Sequence, residues 1–195
     1  MNPEEGLLDA LLRRSAARHR HLCPRQVLGV RMGLLAGRLL DRPVPIHDKS
    51  LLVIVEIDGC AADGVAVATG ASIGKRTLRI EDFGKVAACV ADVVTERAIR
   101  IAPRPEAREL AVRGAPDAAD RWHAQLLGYQ RLSDEDLLVW RDVRLTPSLR
   151  QLISQEGVRV RCQRCGEEVF NERDVSRDGE TLCRSCAGPS YYECC

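Results

Sequence analysis

A chain of 195 residues that is 45% hydrophobic and 29% charged, with a net charge of +1, has a globular composition and room for one sizeable core with a small appendage. The charge balance excludes a broad electrostatic pull toward nucleic acid or acidic lipid, and no apolar run approaches the roughly 20 residues of a membrane-spanning helix. The opening segment MNPEEGLLDALLRR lacks the basic–apolar–small order of a secretory signal, so a cytoplasmic setting is expected; there, nine cysteines point to metal or reactive thiols rather than to a disulfide framework.

Residues 4–20 carry Leu7, Leu8, Leu11, Leu12 and Ala16 at helical spacing, which predicts an amphipathic helix. Pro24 suits the first turn of a second helix, where its missing N–H is not needed, and the apolar periodicity continues to Leu40. Gly29, Gly33 and Gly37 recur every fourth residue on that helix, the spacing of close packing against another helix. DRPVPIHDKS reads as loop, and LLVIVEI (51–57) as a short buried strand closed by the Asp58-Gly59 turn. CAADGVAVATG predicts a helix stopping at Gly70. TLRIED, KVAACVADVV and RAIRIAP read as strands, the last stopped by Pro103 and Pro105. Segments 104–113 and 117–130 read as helices, and Ser133 with Asp136 as the cap of a further short helix. LLVWRDVRL is a strand or the end of that helix. This mixture lacks a clean βαβ alternation and argues for an α+β core domain over 1–150, followed by a small cysteine-bearing module over 158–188 and a flexible tail over 189–195.

The strongest motif is in the module. Cys162-x-x-Cys165-Gly166 and Cys183-x-x-Cys186 are two thiolate pairs 17 residues apart, the four soft ligands of a closed tetrahedral zinc site. Gly166 permits a tight turn after the first pair, and GEEVF…SRDG reads as a hairpin turning at Asp178-Gly179. So small a module cannot bury a core of its own, so the metal must supply folding energy, and its role is structural. Six arginines oppose six acidic residues across 158–188, a poor phosphate-binding surface. Nucleic-acid binding is therefore disfavoured, and docking or dimer stabilisation preferred.

A second constellation is weaker. His21 and Cys23 are one residue apart ahead of the second helix, whose N-terminus favours a thiolate. Cys60 follows the strand end at 51–57. His21, Cys23 and Cys60 with a solvent position would make an open, catalytic-type site, yet cysteine is often buried as a small hydrophobe. From spacing alone an ordinary core is the more economical reading. Lys75 and Lys85 each follow a glycine and are two of only three lysines in an arginine-rich chain; an ammonium is a compact point charge that arginine does not replace. GASIG (70–74) matches the G-x-S-x-G nucleophile elbow, but no clear strand precedes it and no suitable histidine follows. GASIGKR also lacks the spacing and Ser/Thr of a phosphate loop.

The order His19-x-His21-x-Cys23-Pro24, Gly29-x-Arg31, Glu56-x-Asp58-Gly59-Cys60-x-x-Asp63, Thr69-Gly70…Gly74-Lys75 and Asp82-x-Gly84-Lys85 resembles the FmdE family of formylmethanofuran dehydrogenase proteins. The terminal cysteine pairs look like the treble-clef zinc finger many members append. The resemblance implies an α+β core, usually homodimeric, with a second divalent transition metal, most simply zinc, at His21, Cys23 and Cys60. It implies that His19, Asp63, Lys75 and Lys85 line the pocket. Arg20, Arg25 and Ala71 stand where relatives commonly carry glycine, glycine and cysteine.

Three functions follow as expectations. The first is a cytoplasmic metal-binding accessory of a molybdenum or tungsten enzyme of formylmethanofuran or formate dehydrogenase type. The second is a stand-alone metal-dependent enzyme on a small anionic substrate. The third is a zinc-finger regulator contacting nucleic acid or a protein. No iron–sulfur cysteine run accompanies the module, so carbon dioxide reduction is not expected of this chain alone.

Overall fold

The computed structural model describes residues 3–153 and 157–192, with side chains from residue 6 onward; Cys194 and Cys195 of the predicted tail lie outside the described residues. The chain divides into two compact units, 1–145 and 146–195.

In the first unit α1 (Pro3–His19) and α2 (Pro24–Leu39) precede β1 (Leu51–Val55), α3 (Cys60–Thr69) and β2 (Leu78–Ile80). Next come β3 (Ala88–Asp92), β4 (Ala98–Pro103), α4 (Ala107–Arg113), α5 (Arg121–Arg131), α6 (Asp134–Leu137) and β5 (Leu138–Val143). The five strands form one sheet in the order β2-β1-β3-β4-β5. β1 and β2 pair in parallel, joined by α3, and all other pairs are antiparallel. The segment LLVWRDVRL is thus a strand, entered directly from the capped turn of α6.

Alternation along the strands sends Leu51, Val53, Val55, Val90, Ile99 and Ile101 into the core with the apolar faces of α1, α2 and α3. α2 is buried on nearly every side, which explains why its glycines matter. A Cβ on Gly29 would strike the carbonyl of Ala61 and lie 3.0 Å from the Gly64 Cα, and one on Gly33 would strike Ala68. The first two glycines therefore pack on a helix, as their spacing predicts, whereas Gly37 packs on Arg42 and Val44 of the following loop. Contact positions rise together, from Gly29 against Ala61 and Gly64 to Gly33 against Ala68, so α2 and α3 run parallel with their N-termini at one end.

Two polar side chains lock this frame. Gln26 is fully buried: its Oε1 accepts from the Cys23 N–H at 2.8 Å, and its Nε2 donates to the Ser15 carbonyl at 2.8 Å. Arg31 donates to the carbonyls of Tyr129 and Leu132, each at 2.8 Å, and to Asp134. A guanidinium there satisfies the orphan carbonyls at the α5 C-terminus and complements its dipole.

The second unit holds α7 (Leu149–Leu152), β6 (Arg159–Arg161), β7 (Glu168–Phe170), β8 (Val175–Arg177), β9 (Glu180–Leu182) and α8 (Arg184–Ala187). The hairpin turning at Asp178-Gly179 is β8–β9. The GEEVF strand belongs elsewhere: β7 pairs back onto β6 across the first cysteine knuckle, because Cys162, Cys165 and Gly166 themselves form a tight turn between those strands.

Candidate metal centres

The four module cysteines converge. The Sγ atoms of Cys162, Cys165, Cys183 and Cys186 all lie within 4.8 Å of one another. The first knuckle is closed by the Cys162 N–H on the Glu167 carbonyl and the Gly166 N–H on the Cys162 carbonyl, both 2.9 Å. Gln163 ties it to β9, its N–H on the Thr181 carbonyl and its Oε1 accepting from the Thr181 N–H. Cys183 is the N-cap of α8 and Cys186 lies in its first turn. Backbone N–H groups of Cys165 and Cys183 pull the Cys162 thiol down to about 6. Its hydrogen bond to Cys183, with burial, pushes Cys186 up to about 12. Four thiolates this close repel one another, and a dication removes that conflict; the donor set fits zinc in a closed site.

In the core unit the parallel helices bring a second pair of thiols together. Cys23 is the N-cap of α2 and Cys60 the first residue of α3. Between β1 and α3 the chain turns through Gly59 at φ 81°, ψ −151°, a conformation essentially restricted to glycine. That turn brings Cys60 to the helix end that Cys23 caps. Burial first, then Cys23, raises the Cys60 thiol above its ordinary value, while the Arg25 charge pulls the other way.

His19, the last residue of α1, places Nε2 2.6 Å from Oδ2 of Asp63 in the first turn of α3, and Arg18 approaches the other oxygen at 3.2 Å. His19 and Asp63 thus flank the same helix end as Cys60. His21 sits on the exposed turn between α1 and α2. Among the described residues, the four module cysteines are the one set of three or more potential ligands gathered within 4.8 Å, so His21 is not drawn up to Cys23 and Cys60.

The lysines separate. The loop after β2 wraps the end of β1, with Phe83 and Lys85 N–H groups both donating to the Glu56 carbonyl at 3.0 Å, which puts Lys85 at the Cys60 end of the strand. Lys75 precedes β2, which is parallel to β1, and its Nζ donates to the His47 carbonyl at 2.9 Å. It therefore stands at the opposite end of β1, roughly 16 Å away for a five-residue strand. Within one chain Lys75 does not share a pocket with Cys23 and Cys60. The GASIG stretch follows α3 rather than a strand, so it is not a strand–turn–helix elbow.

Sequence reasoning assigned no role to two supports. Gln26 fixes the backbone of Cys23 as described. Glu56, 9% exposed, is held bidentately by Arg100 at 2.5 and 2.6 Å; its signal was a carboxylate inside the apolar run LLVIVEI. Beside this pair, burial and then the Glu56 charge push the Cys89 thiol up to about 11, leaving it inert near neutral pH.

An α+β domain carrying a thiol pair at a helix junction, with a four-cysteine zinc module, defines a metal-binding protein class, and the comparisons identify which. Residues 18–139 match the family model FmdE, molybdenum formylmethanofuran dehydrogenase operon, and residues 156–192 match the prokaryotic dksA/traR C4-type zinc finger. The first match covers more than half of the chain: the protein belongs to the FmdE family. It is 30% identical to a probable S-adenosyl-L-methionine-binding protein of Archaeoglobus fulgidus, over 98% of this chain and 56% of that one. The chain thus spans about half the length of that relative. A tungsten formylmethanofuran dehydrogenase FmdE-like protein from Syntrophus aciditrophicus shares the fold, with a TM-score of 0.59, 23% identity and 95% of each chain covered. Among the described residues no helix is long and apolar enough to cross a membrane.

Proposed function

We propose that this FmdE-type protein is a cytoplasmic, homodimeric metal-binding accessory of a molybdenum or tungsten dehydrogenase acting on formylmethanofuran or formate. In this reading the C-terminal module is a treble-clef finger with structural zinc, and the core domain holds a second divalent ion at Cys23 and Cys60. The observation that carries it is the pair of thiols, Cys23 and Cys60, at the shared N-terminal end of α2 and α3, inside an FmdE domain. His21, two residues before Cys23 on an exposed turn, swings in as a third donor, and solvent completes the coordination. When bound, such an ion supplies Lewis acidity; Gln26 holds Cys23 in register for it, and Gly59 sets the direction of Cys60.

Metal analysis tests the reading. Two equivalents per chain are expected, with one lost in Cys23→Ser while the circular dichroism spectrum is unchanged. A single equivalent in the unsubstituted protein would sink it. Affinity capture from the native host should recover a molybdenum or tungsten enzyme; its consistent absence counts against the accessory role.

A second reading, a stand-alone metal-dependent enzyme on a small anionic substrate, is favoured by the His19–Asp63 pair at 2.6 Å. A histidine oriented by a carboxylate is the arrangement of a general base. Lys85 and Arg25, at the Cys60 end, are the cations available to such a substrate. A small anion retained with the core metal would support this reading over the accessory one.

A further inference from the structure

We propose that Cys23 and Cys60 form a reversible dithiol–disulfide couple, whose oxidised state closes the core site to metal. The consequence for metal rests on the core-metal reading proposed for this site; the couple itself rests on geometry. Cys23 caps α2 and Cys60 opens α3, at the end that the two parallel helices share. One turn further into α3, and two turns into α2, the helix backbones are in contact: a Cβ on Gly64 would lie 2.9 Å from the Val30 nitrogen and 3.0 Å from the Gly29 Cα. Backbones that approach this closely can bring side chains at the adjoining helix ends within the separation a disulfide spans.

The pair is asymmetric in the manner such couples require. Cys23 is 9% exposed and its backbone N–H is pinned by Gln26 at 2.8 Å. Cys60 is more open and follows Gly59, whose φ of 81° marks a joint without a side chain to obstruct rotation. Cys60 is thus the entry thiol and the movable one, and Cys23 the resolving thiol. Cys89 provides an internal contrast: it is buried beside the charged Glu56 and Arg100.

A small disulfide such as oxidised glutathione is the oxidant. The Cys60 sulfur, having released its proton, attacks one sulfur of that disulfide and expels a glutathione thiolate, which takes up a proton. The Cys23 sulfur, likewise deprotonated, then attacks Cys60 Sγ and expels the second glutathione. One protein S–S bond forms, one glutathione S–S bond breaks, two electrons pass to glutathione, and the two thiol protons end on its two thiols. Neither protein sulfur is then a thiolate, and neither is left to bind the ion.

The test equilibrates the full, metal-loaded chain with oxidised glutathione, blocks free thiols by alkylation, and maps the peptides by mass spectrometry alongside metal content. A peptide linked through Cys23 and Cys60 is expected, with loss of the core equivalent, retention of the finger zinc, and recovery of both after reduction and metal resupply. Cys23→Ser, or Cys23→Ala if the serine variant does not fold, should stop at a glutathione adduct on Cys60. Cys60→Ser should acquire no adduct at Cys23. Absence of the linked peptide overturns the couple whatever the metal count, and a linked peptide with the core metal retained overturns the exclusion. If the linked peptide forms in a protein that only ever held the finger equivalent, the couple stands and the core-metal reading fails.

Discussion

The two units solve the same folding problem with different materials. Residues 1–145 close around apolar side chains contributed by three helices and a five-stranded sheet. In the described part of 146–195, the apolar side chains less than a tenth exposed are Leu149, Cys162 and Leu182, too few to offset the entropy of ordering the segment. Cysteine accordingly plays two roles in one chain. In the module four thiols are the core, because the metal they hold is what organises the knuckles. In the larger unit two thiols sit on a scaffold that packs without them, so their chemistry is free to change while the fold stays.

The largest effect should come from removing the module's metal. Apparent zinc-binding energies of such sites are about 10–16 kcal/mol near neutral pH, and most of that is folding energy. Cys162→Ser, or a strong chelator, should leave 157–192 open to proteases while 1–145 keeps its thermal transition; limited proteolysis read by mass spectrometry checks both. A module that stays protected without metal would erase the contrast between the units.

The reverse experiment attacks packing in the larger unit. In Gly64→Val the first added carbon already meets the Gln26 carbonyl and the Val30 nitrogen, and backbone cannot yield as a side chain does. Overpacking of this severity should cost about 3 kcal/mol or more, measured by urea unfolding, with the finger's metal equivalent retained. It should also part the ends of α2 and α3, so Cys23 and Cys60 should no longer cross-link.

A buried ion pair in the same unit gives a smaller, pH-dependent effect. Burial alone would raise the Asp92 carboxyl, but the Arg42 guanidinium at 2.9 and 3.0 Å, with the N–H groups of Val94 and Thr95, holds it down at about 2. Because the folded value lies below the unfolded value of about 3.9, this stabilisation is present above pH ~4 and is lost as pH falls toward 2. Asp92→Asn should cost about 2 kcal/mol at neutral pH, and its stability curve should converge on that of the parent protein in acid. Parallel curves over the whole acid range would refute the assignment.

The same contrast governs what the sequence reveals. The finger's ligands are legible because metal geometry demands two CxxC pairs at close quarters, a local pattern. The helices and most strands follow from periodicity, and the close approach of α2 follows from Gly29 and Gly33. The core thiol pair was only half legible: Cys23 and Cys60 are 37 positions apart in sequence, and their meeting depends on α2 and α3 running parallel, which no local pattern encodes. For the same reason Lys75 and Lys85 look alike as Gly-Lys pairs, while the parallel pairing of β2 with β1 sends them to opposite ends. The role of Gln26 and the partners of Arg31 were hidden because a polar residue on a helix reads as surface until what it bonds, Ser15 and the end of α5, is known.

The smallest effect tests the frame at a solvent-facing cap. Ser133 Oγ accepts from the Asp136 N–H at 3.1 Å and caps α6, a single turn. That turn also carries Asp134, which receives Arg31 at 2.8 Å and pairs with Arg38. Loss of an exposed N-cap costs about 1 kcal/mol, and Ser133→Ala should lower the stability of the larger unit by that amount in urea unfolding. If the cap serves only its own turn, combining Ser133→Ala with Arg31→Met should give the sum of the two single losses. If it also holds Asp134 in place for Arg31, the double variant should lose less than that sum, since the second change removes a contact already weakened. The hydrogen bonds from Asp134 to both arginines favour the second outcome, and additivity would show that α2 is anchored by the α5 carbonyls alone.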